Sequence, residues 1–129
     1  MAEDFGSAAL RHRHDARRLA GIERFQNAGY MIGLAAECLA KSLLVAAGIP
    51  IGDRDAFRRH FPRQAEQLRV DGRTSSMRLL APIIARQDFL HGWDIEARYD
   101  PDLPPEMAQQ RFEAWEANVG ALFNAAGLP

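Results

Sequence analysis

Arginine is the residue type in this sequence that is best suited to chemistry. Fifteen of the sixteen basic residues are arginine, and Lys41 is the only lysine. Residues 1–86 hold fourteen basic against nine acidic residues, a balance of +5, whereas residues 87–129 hold two against eight, a balance of −6. A guanidinium group presents a planar fork of donors that matches a phosphate group. The distribution fits contact with the phosphates of a nucleotide or RNA, although solvated helix faces are the simpler explanation.

Residues 11–18, with the sequence RHRHDARR, concentrate basic charge on one predicted helix. A basic helix face of this kind could lie along a phosphate backbone. The stretch contains no aromatic residue that would stack on a base, so a solvated surface remains the simpler interpretation here too.

The common motifs of metal and cofactor enzymes do not occur in this sequence. It has no glycine-rich phosphate loop, no His-Glu-x-x-His pair, no pair of cysteines and no nucleophile elbow. We therefore expect no metal site and no cofactor. Several carboxylates could serve as an acid–base pair, but no spacing selects two of them: Asp88, Asp94, Glu96, Asp100 and Asp102.

A long central helix over residues 27–48 is the element around which we expect the rest to pack. Glu37 and Lys41 lie four residues apart in the favourable order, and Gly48 supplies the stop. Asn27 is the predicted N-cap. Small and apolar residues recur at helical spacing and cover several faces, with one stripe formed by Ala28, Ile32, Ala35, Leu39, Leu43 and Ala46.

The remaining segments are also predicted to be helical. The first helix, over residues 7–24, would form an antiparallel hairpin with the central one and turn inward Ala9, His12, Ala16, Leu19 and Ile22 or Glu23. One or two short helices follow within residues 53–70. A further helix, capped by Ser75 or Ser76, would end within residues 86–94, where Gly92 is a good stop. The last, over residues 105–126, carries the stripe Ala108, Phe112, Trp115, Val119, Leu122 and Ala126. No stretch alternates with period two, which predicts an all-α, up-and-down bundle of about five helices in a single domain, residues 1–129.

The cysteine content and the N-terminus favour a soluble cytoplasmic protein. The one cysteine, Cys38, falls in the apolar central helix, so no disulfide framework is expected. The first ten residues carry acids where a secretory signal would carry bases. Glu37 and Lys41 interrupt the best candidate for a membrane span, so we expect no membrane association.

Positions in two parts of the chain form a pattern similar to that of HEPN domains (higher eukaryote and prokaryote nucleotide-binding). Many of these domains begin with residues like His14-Asp15-Ala16, Leu19, Asn27-Ala28, Gly33, Glu37-Cys38 and Lys41. The later Trp93-x4-Arg98-Tyr99 resembles the W-x4-RY of some branches. The resemblance covers about residues 11–48 and 86–99. It implies a bundle of four or five helices, usually a homodimer, in a family of metal-independent ribonucleases and non-catalytic members that bind nucleotides or partner proteins.

The resemblance also implies a candidate catalytic pair, Arg86 and His91. The ribonuclease members carry an arginine and a histidine late in the bundle with four to six residues between them, and four separate these two. An imidazole can take the proton of a ribose 2′-hydroxyl or protonate the leaving oxygen, and a guanidinium can hold the phosphate as charge builds. On an unbroken helix the two side chains would point roughly 140° apart. A helix break near Gly92, or better a site shared across a dimer axis, would bring them together.

Several of these residues have a second interpretation. Arg54 and His60 satisfy the same spacing, and only position in the bundle favours Arg86 and His91. Gln87 and Arg98 are the candidate substrate-binding residues, although Arg98 is more simply a buried clamp beside a helix acid such as Glu37.

Two non-catalytic functions also remain open. The first is a module whose helical face binds a partner, such as a nucleotidyltransferase or an antitoxin. The second is a purely structural dimer. In both cases the role of His91 would be structural: it would lie at the end of a helix, where a positive charge interacts favourably with the negative end of the helix dipole. Trp93 and Trp115 are predicted to be core residues rather than platforms for a base.

Overall fold

The computed structural model describes residues 4–46, 48, 80 and 82–129, which consist of helices and connecting segments with no strand among them. The predicted all-α class is confirmed. The short helices predicted within residues 53–70, the proposed Ser75 or Ser76 cap, and the alternative pair Arg54 and His60 lie outside the described residues.

Two helices form the predicted antiparallel hairpin. Helix α1 spans Phe5–Gly21 and helix α2 spans Phe25–Ala46. The Asp4 carboxylate caps α1 by accepting a 2.9 Å hydrogen bond from the backbone N–H of Ser7. At the far end of the hairpin, the Lys41 ammonium lies 5.8 Å from the centre of the Phe5 ring. The start of α1 therefore lies beside the end of α2, and each helix begins about two residues earlier than predicted.

The start of α2 differs from the prediction. Asn27 lies within the first turn of the helix and is exposed, so its assignment as the N-cap is wrong. Helix α2 begins at Phe25, whose ring packs 6.0 Å from that of Phe112. The first residue of α2 is therefore held by aromatic packing.

Helix α2 lies at the centre of the described core. Its buried residues occupy several faces, as the sequence predicted: Ala28, Gly29, Ile32, Gly33, Ala35, Ala36, Glu37, Leu39, Ala40 and Leu44. By length and mean hydropathy, α2 is also long and apolar enough to cross a membrane, and 56% of its most apolar 18-residue window is buried inside the fold. The central helix of a globular core passes the same test.

The inward face of α1 differs from the predicted one at Arg13, His12 and Ile22. Arg13 is buried with 5% exposure, whereas His12 is only half-buried and Ile22 is 69% exposed. The Arg13 guanidinium lies 3.4 Å from the Glu116 carboxylate and 4.7 Å from the centre of the Phe123 ring. An ion pair and an aromatic face therefore compensate the burial of this charge.

The last helix, α3, spans Pro105–Ala125 and packs against α2. Pro105 occupies its first position, as predicted. Five members of the predicted stripe are buried and Ala126 is half-buried, while Phe123 joins the core in addition. The helical period of the sequence was therefore sufficient to define this face.

The segment before α3 departs most from the prediction. Helical residues end at Ile84, two residues before the predicted range of 86–94, and turns occupy residues 85–92. A short 3-10 helix, Ile95–Tyr99, follows and leads through an extended connector to α3. Leu90 and Gly92 adopt positive φ angles of 49° and 82°, which an α-helix cannot contain.

Candidate functional site

The two candidate catalytic residues, Arg86 and His91, lie on consecutive turns that follow the helix ending at Ile84. The N–H of Phe89 donates to the carbonyl of Arg86 at 3.1 Å, and that of His91 donates to the carbonyl of Asp88 at 3.4 Å. Arg86 and His91 are both exposed. The angular separation expected on a continuous helix does not apply, because the helix has already ended.

Helix α3 holds these turns in place through two hydrogen bonds. The Asn118 side-chain oxygen accepts from the backbone N–H of Leu90 at 2.9 Å. The Trp115 indole donates to the backbone carbonyl of His91 at 2.8 Å. Leu90 is buried at 5% exposure despite its left-handed backbone. The backbone between Arg86 and His91 is therefore anchored to a helix of the core.

The carboxylate of Asp88 forms an ion pair with the guanidinium of Arg86. The Nε and Nη2 atoms of Arg86 donate to the two carboxylate oxygens of Asp88 at 3.0 and 2.9 Å. Arg86 and Asp88 also line a cavity of about 300 Å³ against the outer face of α3, and His91 does not line it. Gln87, a candidate substrate-binding residue, is exposed on the same turns.

Trp93 is a core residue, as predicted. It is 3% exposed, its indole N–H donates to the backbone carbonyl of Tyr30 at 3.2 Å, and its ring stacks on that of Tyr30 at 5.9 Å. A Cβ placed on Gly33 would overlap the Trp93 ring. Gly33 is therefore the position at which α2 receives the indole, so the two separate parts of the HEPN-like pattern meet at this contact.

Arg98, the second candidate substrate-binding residue, is exposed. Its Nη1 lies 3.4 Å from the Tyr30 hydroxyl, and its guanidinium lies 4.8 Å from the centre of the Tyr99 ring. Tyr99 itself is 71% exposed. The interpretation of Arg98 as a buried clamp against a helix acid is therefore wrong, because its neighbours are two tyrosines at the surface.

Arg98 lines a cleft with a volume of about 400 Å³. We call this the arginine cleft. It is bordered by the α1–α2 turn and the start of α2, by Gly92, by the segment from the 3-10 helix to the connector, and by the first half of α3. Its charged and aromatic lining consists of Arg24, Arg98, Arg111, Glu23, Asp100, Asp102, Phe25, Tyr30 and Trp115.

Gln26 fixes the connector that forms one wall of the arginine cleft. Its side-chain N–H donates to the carbonyl of Pro101 at 3.1 Å, and its oxygen accepts from the N–H of Leu103 at 2.8 Å. The sequence alone does not reveal Arg24, Arg111 or Gln26 as site residues. No local spacing could have connected them, because the cleft joins three segments that are remote in sequence.

Burial shifts the pKa values of two titratable groups outside these sites, His12 and Cys38. Burial, together with the nearby Arg11 charge, lowers the pKa of His12 below 6.5, and the His12 Nδ1 is buried with no hydrogen-bond partner among the described residues. Burial raises the pKa of the Cys38 thiol. Within the described residues, no group of three His, Cys, Asp or Glu side chains could hold a metal ion.

Comparison of the chain with protein-family models, with curated proteins and with solved structures gave no match. The similarity to HEPN domains therefore rests on the residues of this chain alone and stays a prediction.

Proposed function

We propose that this chain is a HEPN-like, nucleotide- or RNA-directed helical module that acts as a homodimer in the cytoplasm. Its all-α fold supports this proposal. So does the contact between Gly33 and Trp93, two residues of the similar pattern that are 60 positions apart. In its sharpest form the proposal is a toxin-type, metal-independent endoribonuclease with Arg86 and His91 at its active site.

The observation that carries the catalytic form is the end of the helix at Ile84. It leaves Arg86 and His91 on anchored turns with both side chains at the surface. The ribose 2′-oxygen attacks phosphorus, and the bond from phosphorus to the 5′-oxygen breaks. His91 either takes the proton from the 2′-hydroxyl or gives a proton to the leaving 5′-oxygen. Arg86 stabilises the charge that builds on the phosphate, and Gln87 and Arg98 contact the substrate.

Asp88 is a competitor for Arg86 in this mechanism. A phosphate can bind Arg86 in a fork only if the carboxylate releases it. The side chains of Arg86 and Asp88 are 61% and 59% exposed. Since exposed ion pairs contribute only about 0–1 kcal/mol, an incoming phosphate can replace the carboxylate at little cost.

The test is cleavage of a mixed structured RNA in EDTA by the purified protein and its His91→Ala variant. His14→Ala is a matched control, because His14 is an exposed histidine on α1. We expect cleavage by the wild type and His14→Ala, its loss in His91→Ala, and faster cleavage by Asp88→Asn, which frees Arg86. Equal cleavage by all four proteins, or none by the wild type, would reject the catalytic form.

Mixing two inactive variants tests whether the site is shared between subunits. If Arg86 of one subunit works with His91 of the other, a dimer of Arg86→Ala and His91→Ala chains has one intact site of two. Random exchange should then restore about one quarter of the wild-type activity, because about half of the dimers are mixed. A site within one chain predicts no restoration.

One observation favours a second candidate, a non-catalytic module that binds a nucleotidyltransferase or an antitoxin. Arg86 is already paired with Asp88 through both oxygens, as a structural arginine would be. This function predicts that Asp88→Asn and His91→Ala leave RNA intact. It also predicts that the protein copurifies in a fixed ratio with the product of a neighbouring gene.

A further inference from the structure

We propose that the arginine cleft binds a nucleoside phosphate, either free or as the end of an RNA strand. Arg98 lines this cleft but Arg86 and His91 do not, so the proposal rests on the nucleotide-directed part of the proposed function and stands whether or not the chain cleaves RNA. It is carried by three guanidinium groups, by an aromatic side chain fixed beside them and by the size of the cleft.

The three arginines of the cleft come from three separate segments. Arg24 precedes α2, Arg98 belongs to the 3-10 helix and Arg111 lies on α3. All three are exposed, and the side chains of Arg24 and Arg111 form no hydrogen bond or ion pair with any residue that the structure describes. Three guanidinium groups with free donors around one concavity form a site for a phosphate group.

Carboxylates also line the cleft, yet they do not neutralise these arginines. Glu23, Asp100 and Asp102 are exposed, and none lies within ion-pair distance of a described arginine or lysine. Basic and acidic groups therefore remain separately available within one cleft. This combination suits a ligand with an anion at one end and a hydrogen-bond donor at the other. A nucleotide has both, because it joins a phosphate to a base that carries an amino group.

Tyr30 supplies the aromatic surface that such a base requires. It is half-buried, and its ring is fixed by stacking on Trp93 at an interplanar angle of 22°. Its hydroxyl lies 3.4 Å from Arg98 Nη1, which places an aromatic edge and a guanidinium side by side. Bases stack on aromatic side chains and on arginine planes without sequence preference.

The size of the cleft limits the ligand. A volume of about 400 Å³ is at the lower end of small-molecule sites and suits one nucleotide rather than a duplex. The amide of Gln26 is already used by the backbone of Pro101 and Leu103, so it shapes the wall and is not free for the ligand. One nucleotide, with its phosphate toward the arginines and its base toward Tyr30, fits these constraints.

Isothermal titration calorimetry of the full chain tests the proposal. The probes are AMP, adenosine, inorganic phosphate, and a short RNA with or without a 5′-phosphate. The test variants are Arg111→Ala and Arg24→Ala, because each removes an exposed, unpaired guanidinium and leaves the packing intact. The control is Arg18→Ala, an exposed arginine of α1 that does not line the cleft.

We expect AMP to bind more tightly than adenosine or phosphate, and each test variant to weaken AMP binding about tenfold to a hundredfold. Arg18→Ala should bind as the wild type does. Binding of AMP alone identifies a free nucleotide as the ligand, whereas tighter binding of the 5′-phosphorylated RNA identifies a strand end. No binding of AMP or RNA by the wild type, or equal binding by all variants that retain wild-type circular dichroism, overturns the proposal.

Discussion

Substitution of Gly33 by alanine should unfold this domain more easily, although alanine is the better helix former. A Cβ at Gly33 would overlap the Cε2 and Nε1 atoms of Trp93. The indole would have to retreat by about 1.5 Å or more to regain van der Waals contact, and this would strain its hydrogen bond to the carbonyl of Tyr30. Overpacking costs about 1–3 kcal/mol and the hydrogen bond about 1 kcal/mol, while the helix propensity of alanine returns about 1 kcal/mol. The free energy of unfolding should therefore fall by about 1–3 kcal/mol.

Thermal and urea unfolding of Gly33→Ala measures this loss, which corresponds to a Tm about 4–12 °C lower. Gly21→Ala is the matched control, because Gly21 ends α1 and a Cβ there meets nothing within 4 Å. It should be neutral or slightly stabilising. In a Trp93→Leu background the cost of Gly33→Ala should shrink, since the two residues are in contact. Equal stability of Gly33→Ala and Gly21→Ala would refute the reasoning.

Two further predictions concern His12 and Asn118. The pKa of His12 is lowered by burial, so the unfolded state takes up its proton more readily. The stability due to the neutral ring is complete above pH 6.5 and is lost as pH falls through the folded-state pKa. Urea midpoints should therefore fall less in His12→Leu than in the wild type between pH 7.5 and pH 5.5, values about one unit above and below 6.5. Asn118→Ala leaves the buried N–H of Leu90 without its acceptor. The free energy of unfolding should fall by about 1–3 kcal/mol, and hydrogen exchange at Leu90 should accelerate, compared with an Asn124→Ala control on the exposed face of α3. An unchanged pH profile in the first case, or unchanged exchange in the second, would contradict these assignments.

Most of the described fold follows from apolar periodicity, because each helix buries a continuous stripe. The period alone located α2 and α3 and predicted the hairpin of α1 with α2. It did not include Arg13 among the inward residues of α1, since a charged residue is expected at the surface. The carboxylate of Glu116, 103 residues away, and the ring of Phe123 explain why this guanidinium can be buried. An ion pair between residues that are remote in sequence leaves no local pattern from which the burial of Arg13 could be predicted.

The end of the helix at Ile84 could not be predicted for a similar reason. Gly92 is a good stop signal, and nothing between Ile84 and Gly92 is a strong helix breaker. The backbone leaves the helix early because Asn118 takes the N–H of Leu90 and because Trp93 must reach Gly33. These are tertiary contacts that override local propensity.

The candidate catalytic residues were identified through resemblance, whereas the arginine cleft became visible only in three dimensions. Arg24, Arg98 and Arg111 span 87 positions of the sequence and share no motif. Arg98 alone was proposed as a substrate contact. The cleft is formed by a turn, a 3-10 helix and the start of α3, which share no periodic sequence pattern. Its lining residues could therefore not be predicted from the sequence alone.

The turns that carry Arg86 and His91 are exposed, yet their backbone is fixed. Two tryptophan rings that pack against glycines of α2 explain this. Trp93 packs on Gly33, and Trp115 packs on Gly29 one helical turn earlier, where a Cβ would come within 2.9 Å of its ring. Because the Trp115 indole also holds the carbonyl of His91, the segment is tied to α2 and α3 at once. Functional groups need such anchoring to be placed accurately. The same Trp115 ring lines the arginine cleft, so a ligand bound there would contact the residue that positions the His91 backbone.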